Sequence, residues 1–146
     1  MKYLLVGINA KYIHSNLALQ SLYVYAKKYS TVTPVVREFT INMPISDIVQ
    51  GIYEEQPDFI GFSSYIWNSD MVLRVVKDIK LLLPDCIIYL GGPEVSYNSE
   101  QLLINNPEID GLMLGEGEQT FVELIKYINF LVYLAYYLIG IGLTCS

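Results

Sequence analysis

Four short stretches carry the residues able to do chemistry. "GFSSYIWN" (Gly61–Asn68) brings two hydroxyls and two large aromatics together directly after an apolar run, and "GGPEVSYN" (Gly91–Asn98) opens on paired glycines. "GEGEQT" (Gly115–Thr120) sets carboxylates between glycines, and "NAKYIHSN" (Asn9–Asn16) holds Lys11 and the chain's one histidine, His14. Ser63 and Ser64 can donate to a ligand or satisfy nearby backbone groups. Tyr65 and Trp67 offer flat apolar surface with polar tips, suited to a large planar molecule, or they pack over a sheet edge. Gly91 and Gly92 either let the backbone approach a ligand closely or simply make a tight Gly-Gly-Pro turn. Glycine amides opening a helix can bind an anion, but Glu116 and Glu118 would repel a phosphate. A carboxylate contact to a hydroxyl or amide fits better there, as does a plain preference of acidic residues for a helix N-terminus.

Several chemistries are excluded by what is missing. A single histidine gives no histidine cluster for a metal and no histidine-serine-acid triad. The two cysteines, Cys86 and Cys145, are too few for a disulfide framework and too distant for a Cys-x-x-Cys site, which fits a reduced, cytoplasmic setting. Gly7 stands alone after the first apolar run, so neither a G-x-G-x-x-G nor a phosphate-loop motif is present. A phosphoacceptor receiver would need an aspartate where this chain has Ser63. Nine basic against fifteen acidic residues, a net charge of -6 without a basic cluster, argue against nucleic acid as a partner.

The elements that must position these stretches are legible from periodicity. Short, nearly continuous apolar runs at Tyr3–Ile8, Pro34–Phe39, Phe59–Ser63, Ile87–Leu90 and Gly111–Leu114 read as strands covered on both faces. Between them Leu19, Leu22, Tyr23 and Ala26 repeat at helical spacing, as do Val72, Val75, Val76, Ile79 and Leu83. Ser46 or Asp47 is expected to cap a short helix around Ile48–Tyr53, Ser69 to cap one opening at Asp70, and Asn98 with Gln101 to form a capping box. Pro57 and Pro84 should stop two helices, and a last helix should begin near Gly117. The alternation predicts a flavodoxin-like, Rossmann-like (βα)5 three-layer α/β sandwich with parallel sheet order 2-1-3-4-5. Ligands in such sheets sit beyond the carboxyl ends of the strands, where all four stretches gather.

At 146 residues one domain is the default. The N-terminal apolar run is too short for a signal peptide and reads as strand 1. From Tyr127 to Ser146 no residue is charged, which inflates the mean hydropathy of +0.36. Phe130–Leu143 would span about 21 Å as a helix against about 30 Å of hydrocarbon, so a buried or partner-covered helix is expected over a membrane crossing. Gly140 and Gly142 are expected to end it. An exposed apolar tail of this kind also predicts a homo-oligomer.

With these loops in order, the chain resembles the N-terminal cobalamin-binding domain of B12-dependent radical S-adenosylmethionine proteins, the group containing anaerobic Mg-protoporphyrin IX monomethyl ester oxidative cyclase-like enzymes. The resemblance is carried by "NAKYIHSNLAL", "GFSSYIWN", "LGGPEVS" and "GEGE", and covers roughly residues 1–128. It implies a cobalamin site made from Asn9, Lys11, His14, Ser63, Ser64, Tyr65, Ile66, Trp67, Gly91, Gly92, Pro93, Glu94, Gly115, Glu116 and Gly117. Cobalamin domains generally carry Asp-x-His-x-x-Gly after strand 1; here Asn9-x-Lys11-x-x-His14 stands there, with lysine in the place of the cobalt-ligating histidine. Ser64-x-Ile66 resembles their Ser-x-Leu element, and Gly91-Gly92 their Gly-Gly. The resemblance places the lower face of the corrin toward Ser63–Trp67 and the nucleotide tail near Gly91 and Gly92. It also implies a partner domain with a [4Fe-4S] cluster and S-adenosylmethionine, performing methyl transfer or oxidative cyclisation. That domain's Cys-x-x-x-Cys-x-x-Cys is absent from this sequence. The expectation is therefore a non-catalytic cofactor module over 1–128, from a fragment or truncated product, with an apolar tail, 129–146, of aberrant origin. Two rival readings are a flavin-binding electron carrier, whose phosphate cradle after strand 1 is missing, and an interaction domain docking through the tail.

Overall fold

The computed structural model of the protein describes residues 1–10 and 16–144. Five strands, β1 (Tyr3–Asn9), β2 (Val35–Thr40), β3 (Phe59–Ser63), β4 (Ile87–Gly91) and β5 (Gly111–Met113), form one parallel sheet in the order β2-β1-β3-β4-β5. The helices are α1 (Leu17–Tyr29), α2 (Ile45–Glu54), α3 (Ser69–Leu82), α4 (Ser99–Asn105) and α5 (Gly117–Thr144), with a 3-10 turn at Pro93–Ser96. This is the expected (βα)5 sandwich, in the expected strand order.

Strand residues alternate between two apolar layers because successive side chains point to opposite faces. Leu4, Val6, Ile8, Ile60, Phe62, Ile88 and Leu90 pack with Ile48 and Ile52 of α2 and Val72, Val75, Val76 and Ile79 of α3. On the other face Tyr3, Leu5, Phe59 and Met113 pack with Leu19 and Ala26 of α1 and Phe121, Val122 and Ile125 of α5. Each such fully buried aliphatic or aromatic side chain contributes about 1.5–3 kcal/mol by leaving water. The register Leu5↔Gly61 and Gly7↔Ser63, continued by Gly61↔Tyr89 and Ser63↔Gly91, brings the strand ends to one level.

Local punctuation departs from expectation in four places. Ser46 and Asp47 lie inside α2, and Pro44 flanks it without a side-chain cap. Ser69 is the first residue of α3, behind Asn68, whose side chain is engaged elsewhere. Asn98 takes a left-handed conformation (φ 50°) and makes no capping bond, so no capping box forms with Gln101. Gly140 does not stop α5, which continues as one helix to Thr144. A helical glycine costs only about 1 kcal/mol relative to alanine, and Gly140 does not adopt the positive φ of a glycine helix cap. The cap not foreseen is Asn16, whose Oδ1 accepts from Leu19 N at 3.3 Å and opens α1. Helices α2 and α3 end at Glu54 and Leu82, just before Pro57 and Pro84 as expected.

Candidate cofactor cleft at the strand ends

The sheet face toward α1 and α5 loses its side chains near the rim. Gly7 of β1, Gly61 of β3 and Gly91 of β4 all lie on it. A cleft of about 300 Å³ opens over the last two, lined also by Leu5, Leu19, Leu22, Pro93, Met113 and Gly117. A β-carbon on Gly61 would stand 3.1 Å from Leu5 Cδ2 and 3.5 Å from Met113 Cε, so any larger side chain would occupy the cleft floor. The cleft is thus flat, mostly apolar and open at the rim, the form of a site for a planar molecule.

Gly92 explains how the rim is held. It has φ 103°, and a β-carbon there would lie 2.4 Å from Ser64 O. Ser64 N in turn donates to Gly91 O at 2.7 Å. The loops after β3 and β4 are therefore zipped together backbone to backbone, a close approach that only glycine permits. The tight turn expected of Gly91-Gly92 is made by Gly92, and Gly91 lies on the cleft floor.

Asn68 organises the loop after β3. Buried to 2% exposure, it accepts from Tyr65 N through Oδ1 at 2.8 Å. Its Nδ2 donates to Ile8 O at 2.9 Å and to Ser63 O at 3.3 Å. One side chain thus fixes the ends of β1 and β3 and the start of the aromatic turn. Reading Ser69 as the helix cap hid this role. Tyr65 and Trp67 stack on one another, centroids 4.4 Å apart and planes 8° from parallel. Tyr65 lines the cleft, while Trp67 and Ile66, exposed 51% and 80%, stand on the rim beside it.

Two carboxylates tie neighbouring elements together. Glu118 Oε1 accepts from Ser21 Oγ at 2.7 Å, joining α5 to α1 at the cleft. That bond, helped by its own backbone amide at the helix N-terminus, holds the carboxyl below its usual range. Glu38 Oε1 accepts from Asn16 N and from Asn9 Nδ2, bracketing the segment that contains Lys11 and His14. Lys11 and His14 themselves lie outside the described residues.

Of the remaining expected site residues, Ser63, Gly91, Gly92, Pro93, Gly115 and Gly117 line the cleft. Gly115, at φ 81° with open space around it, makes the turn that brings α5 to the opening. Ser64 and Glu94 instead line a smaller hollow under the 3-10 turn, and Glu116 is exposed and does not line the cleft. Sequence reasoning missed Gly61, Met113 and Leu19 as cleft residues. The first carried a readable signal, since a glycine inside a buried strand marks a close approach. Among the described residues no group of three metal-ligating side chains comes together. Cys86 is buried, and burial pushes its thiol up to about 12, so it has no nucleophilic part.

A parallel 2-1-3-4-5 sheet with a glycine-floored cleft at its carboxyl edge defines a cofactor-binding α/β domain. Residues 3–125 match the B12 binding domain family, and the chain belongs to it. Cobalamin is the cofactor that membership assigns. The chain is 34% identical over 82 residues to the cobalamin-dependent radical SAM methyltransferase TokK of Streptomyces tokunonensis, covering 56% of this chain and 12% of that protein. It is 26% identical over 110 residues to the anaerobic magnesium-protoporphyrin IX monomethyl ester cyclase of Rubrivivax gelatinosus, covering 73% and 19%. The chain therefore spans a small part of the relatives it matches. Among solved structures, the cobalamin-dependent S-adenosylmethionine radical enzyme OxsB with aqua-cobalamin and S-adenosylmethionine bound shares the fold. Its TM-score is 0.67 at 23% identity, over 86% of this chain and 18% of that one.

Proposed function

We propose that this chain is the cobalamin-holding module of a longer radical S-adenosylmethionine protein, and that the glycine-floored cleft with its aromatic rim is where the cofactor is held. The observation that carries the reading is the pair Gly61 and Gly91 on neighbouring strands: removing two β-carbons from the cleft floor costs the fold packing and backbone entropy, and a bound molecule accounts for it. The residues present fit such a group. Leu5, Leu19, Leu22 and Met113 offer apolar walls to the cofactor's nucleotide tail, while Ser63 and Tyr65 stand where the cleft opens to the rim. The stacked Tyr65–Trp67 pair and exposed Ile66 give a flat apolar platform beside it for the corrin.

Bound cobalamin supplies a cobalt centre able to carry a methyl group. The chain's own residues bind and orient it and exclude water from the tail. Radical chemistry would come from a partner domain, since no Cys-x-x-x-Cys-x-x-Cys stands in this sequence. Residues 1–128 would form the module, working in the cytoplasm.

Purified chain mixed with hydroxocobalamin or methylcobalamin and passed through a sizing column should carry corrin absorbance with the protein peak. Protein that elutes colourless after both aerobic and anaerobic incubation would overturn the assignment.

A further inference from the structure

Helix α5 changes character along its length. Its first half buries one stripe, Phe121, Val122, Ile125 and Ile128, against the sheet and α1, and Tyr3 Oη donates to Asn129 Oδ1 at 2.9 Å at the end of that stripe. From Tyr127 onward the sequence holds no charge. Phe130, Leu131, Tyr133, Tyr136, Leu138 and Ile139 are exposed by 58%, 42%, 68%, 74%, 59% and 60%, and at 100° per residue they point around the whole helix. A neighbouring helix, a second copy included, covers a stripe of such a rod and leaves the rest wet, whereas a bilayer covers every side. Residues 130–144, beyond the buried stripe, run about 22 Å, enough to reach through most of the roughly 30 Å of bilayer hydrocarbon. By length and composition Gly117–Gly140 qualifies as a membrane span.

The base of this rod carries a second, independent feature. Lys28, in the last turn of α1, and Lys126 of α5 line one surface hollow together with Tyr29 and Asn129. Lys27 is exposed beside them, and Tyr29 and Tyr127 are exposed by 48% and 60%. In a chain with nine basic and fifteen acidic residues, three lysines meet where the apolar rod leaves the domain. Glu123, one turn back on α5, accepts from Gln119 at 3.0 Å. Lysines and tyrosines are the residues that settle at the headgroup level of a membrane, lysines on its cytoplasmic side.

We propose that the C-terminal half of α5 inserts into a lipid bilayer, with Lys27, Lys28 and Lys126 seated on anionic headgroups and the cofactor cleft, at the other end of the sheet where α5 begins, facing away from the membrane. The sequence weighed against a full crossing on length, and insertion of the rod does not require one; the helix also continues past Gly140 to Thr144. The proposal stands independently of the cobalamin reading.

Flotation of the full chain with mixed phosphatidylcholine and phosphatidylglycerol vesicles tests it. The chain should float and stay with the vesicles through a high-salt wash. Tyr136→Arg with Leu138→Arg, at exposed positions of the rod, should cut flotation at least about tenfold while leaving the domain's melting transition in place. Lys28→Glu with Lys126→Glu should weaken binding to the mixed vesicles more than to phosphatidylcholine alone. A wild-type chain left at the bottom of the gradient would overturn the proposal, as would flotation unchanged by the two arginines. So would a discrete oligomer in detergent-free buffer that no longer binds vesicles.

Discussion

The backbone of Gly92 lies on that of Ser64, so close that a β-carbon at 92 would stand 2.4 Å from the Ser64 carbonyl oxygen. This relationship sets the height of two rim loops at once. Gly92→Ala adds both that clash and the strain of a positive φ, and should destabilise the fold by roughly 2–4 kcal/mol. Urea unfolding measures the loss; a change below about 0.5 kcal/mol, within the range of neutral surface substitutions, would mean that the loops are not locked in this way.

Gly61 separates the cleft from the fold. Its surroundings are the flexible ends of Leu5 and Met113, at 3.1 and 3.5 Å from an ideal β-carbon, so they can yield. Gly61→Val should therefore cost about 1–3 kcal/mol by overpacking, yet lower cobalamin affinity by more than tenfold, because its methyl groups fill the cleft floor. Absorbance titration and a melting curve on the same sample make the comparison, and undiminished affinity would place the cofactor elsewhere.

The rim loops and the cleft differ in how legible they are in the sequence. Strands and helices followed from apolar periodicity, which depends on near neighbours in the chain, and the four rim stretches followed from topology. The cleft itself was hidden because its walls are ordinary core residues: Leu5, Leu19 and Met113 belong to one buried layer, and only the missing side chains of Gly61 and Gly91 open it. Asn68 was hidden for a related reason. Its bonds reach Ile8, sixty residues away, and no local pattern encodes that distance. The span of α5 was misjudged by giving glycine more stopping power than its roughly 1 kcal/mol carries.

Asn68 should be among the least replaceable polar residues of the chain. Asn68→Ala removes one acceptor and two donor contacts in a buried place, leaving Tyr65 N and the carbonyls of Ile8 and Ser63 short of partners. With unsatisfied buried groups costing about 1–3 kcal/mol each, partly relieved by relaxation, a net loss of roughly 2–4 kcal/mol is expected. Asn68→Asp at neutral pH should be no better, since it replaces the donor to two carbonyls with a second acceptor. Chemical denaturation of the three proteins, followed by tryptophan emission from nearby Trp67, orders them; an alanine variant as stable as the parent would contradict the hub.

At the opposite end of the sheet Glu55 accepts from Lys2 Nζ at 2.7 Å and from Arg37 Nη1 at 2.9 Å. The bond from Lys2, then that from Arg37, holds its carboxyl below the ordinary 4.5. The folded value is thus the lower one, so the unfolded chain takes up the proton first as pH falls. The stabilisation is complete above the ordinary carboxylate value and drains away as acid approaches the lowered folded value. Glu55→Gln should therefore be less stable than the parent at neutral pH, with a flatter loss of stability below pH 4.5, so that the two curves converge in acid. Added salt should shrink the difference, because both cations are partly exposed. Lys2 opens β1 and Glu55 closes α2, far along the strands from the rim, so cobalamin affinity at neutral pH should not change. A parallel pair of stability curves across the acid range would show that the carboxyl's protonation is not linked to folding.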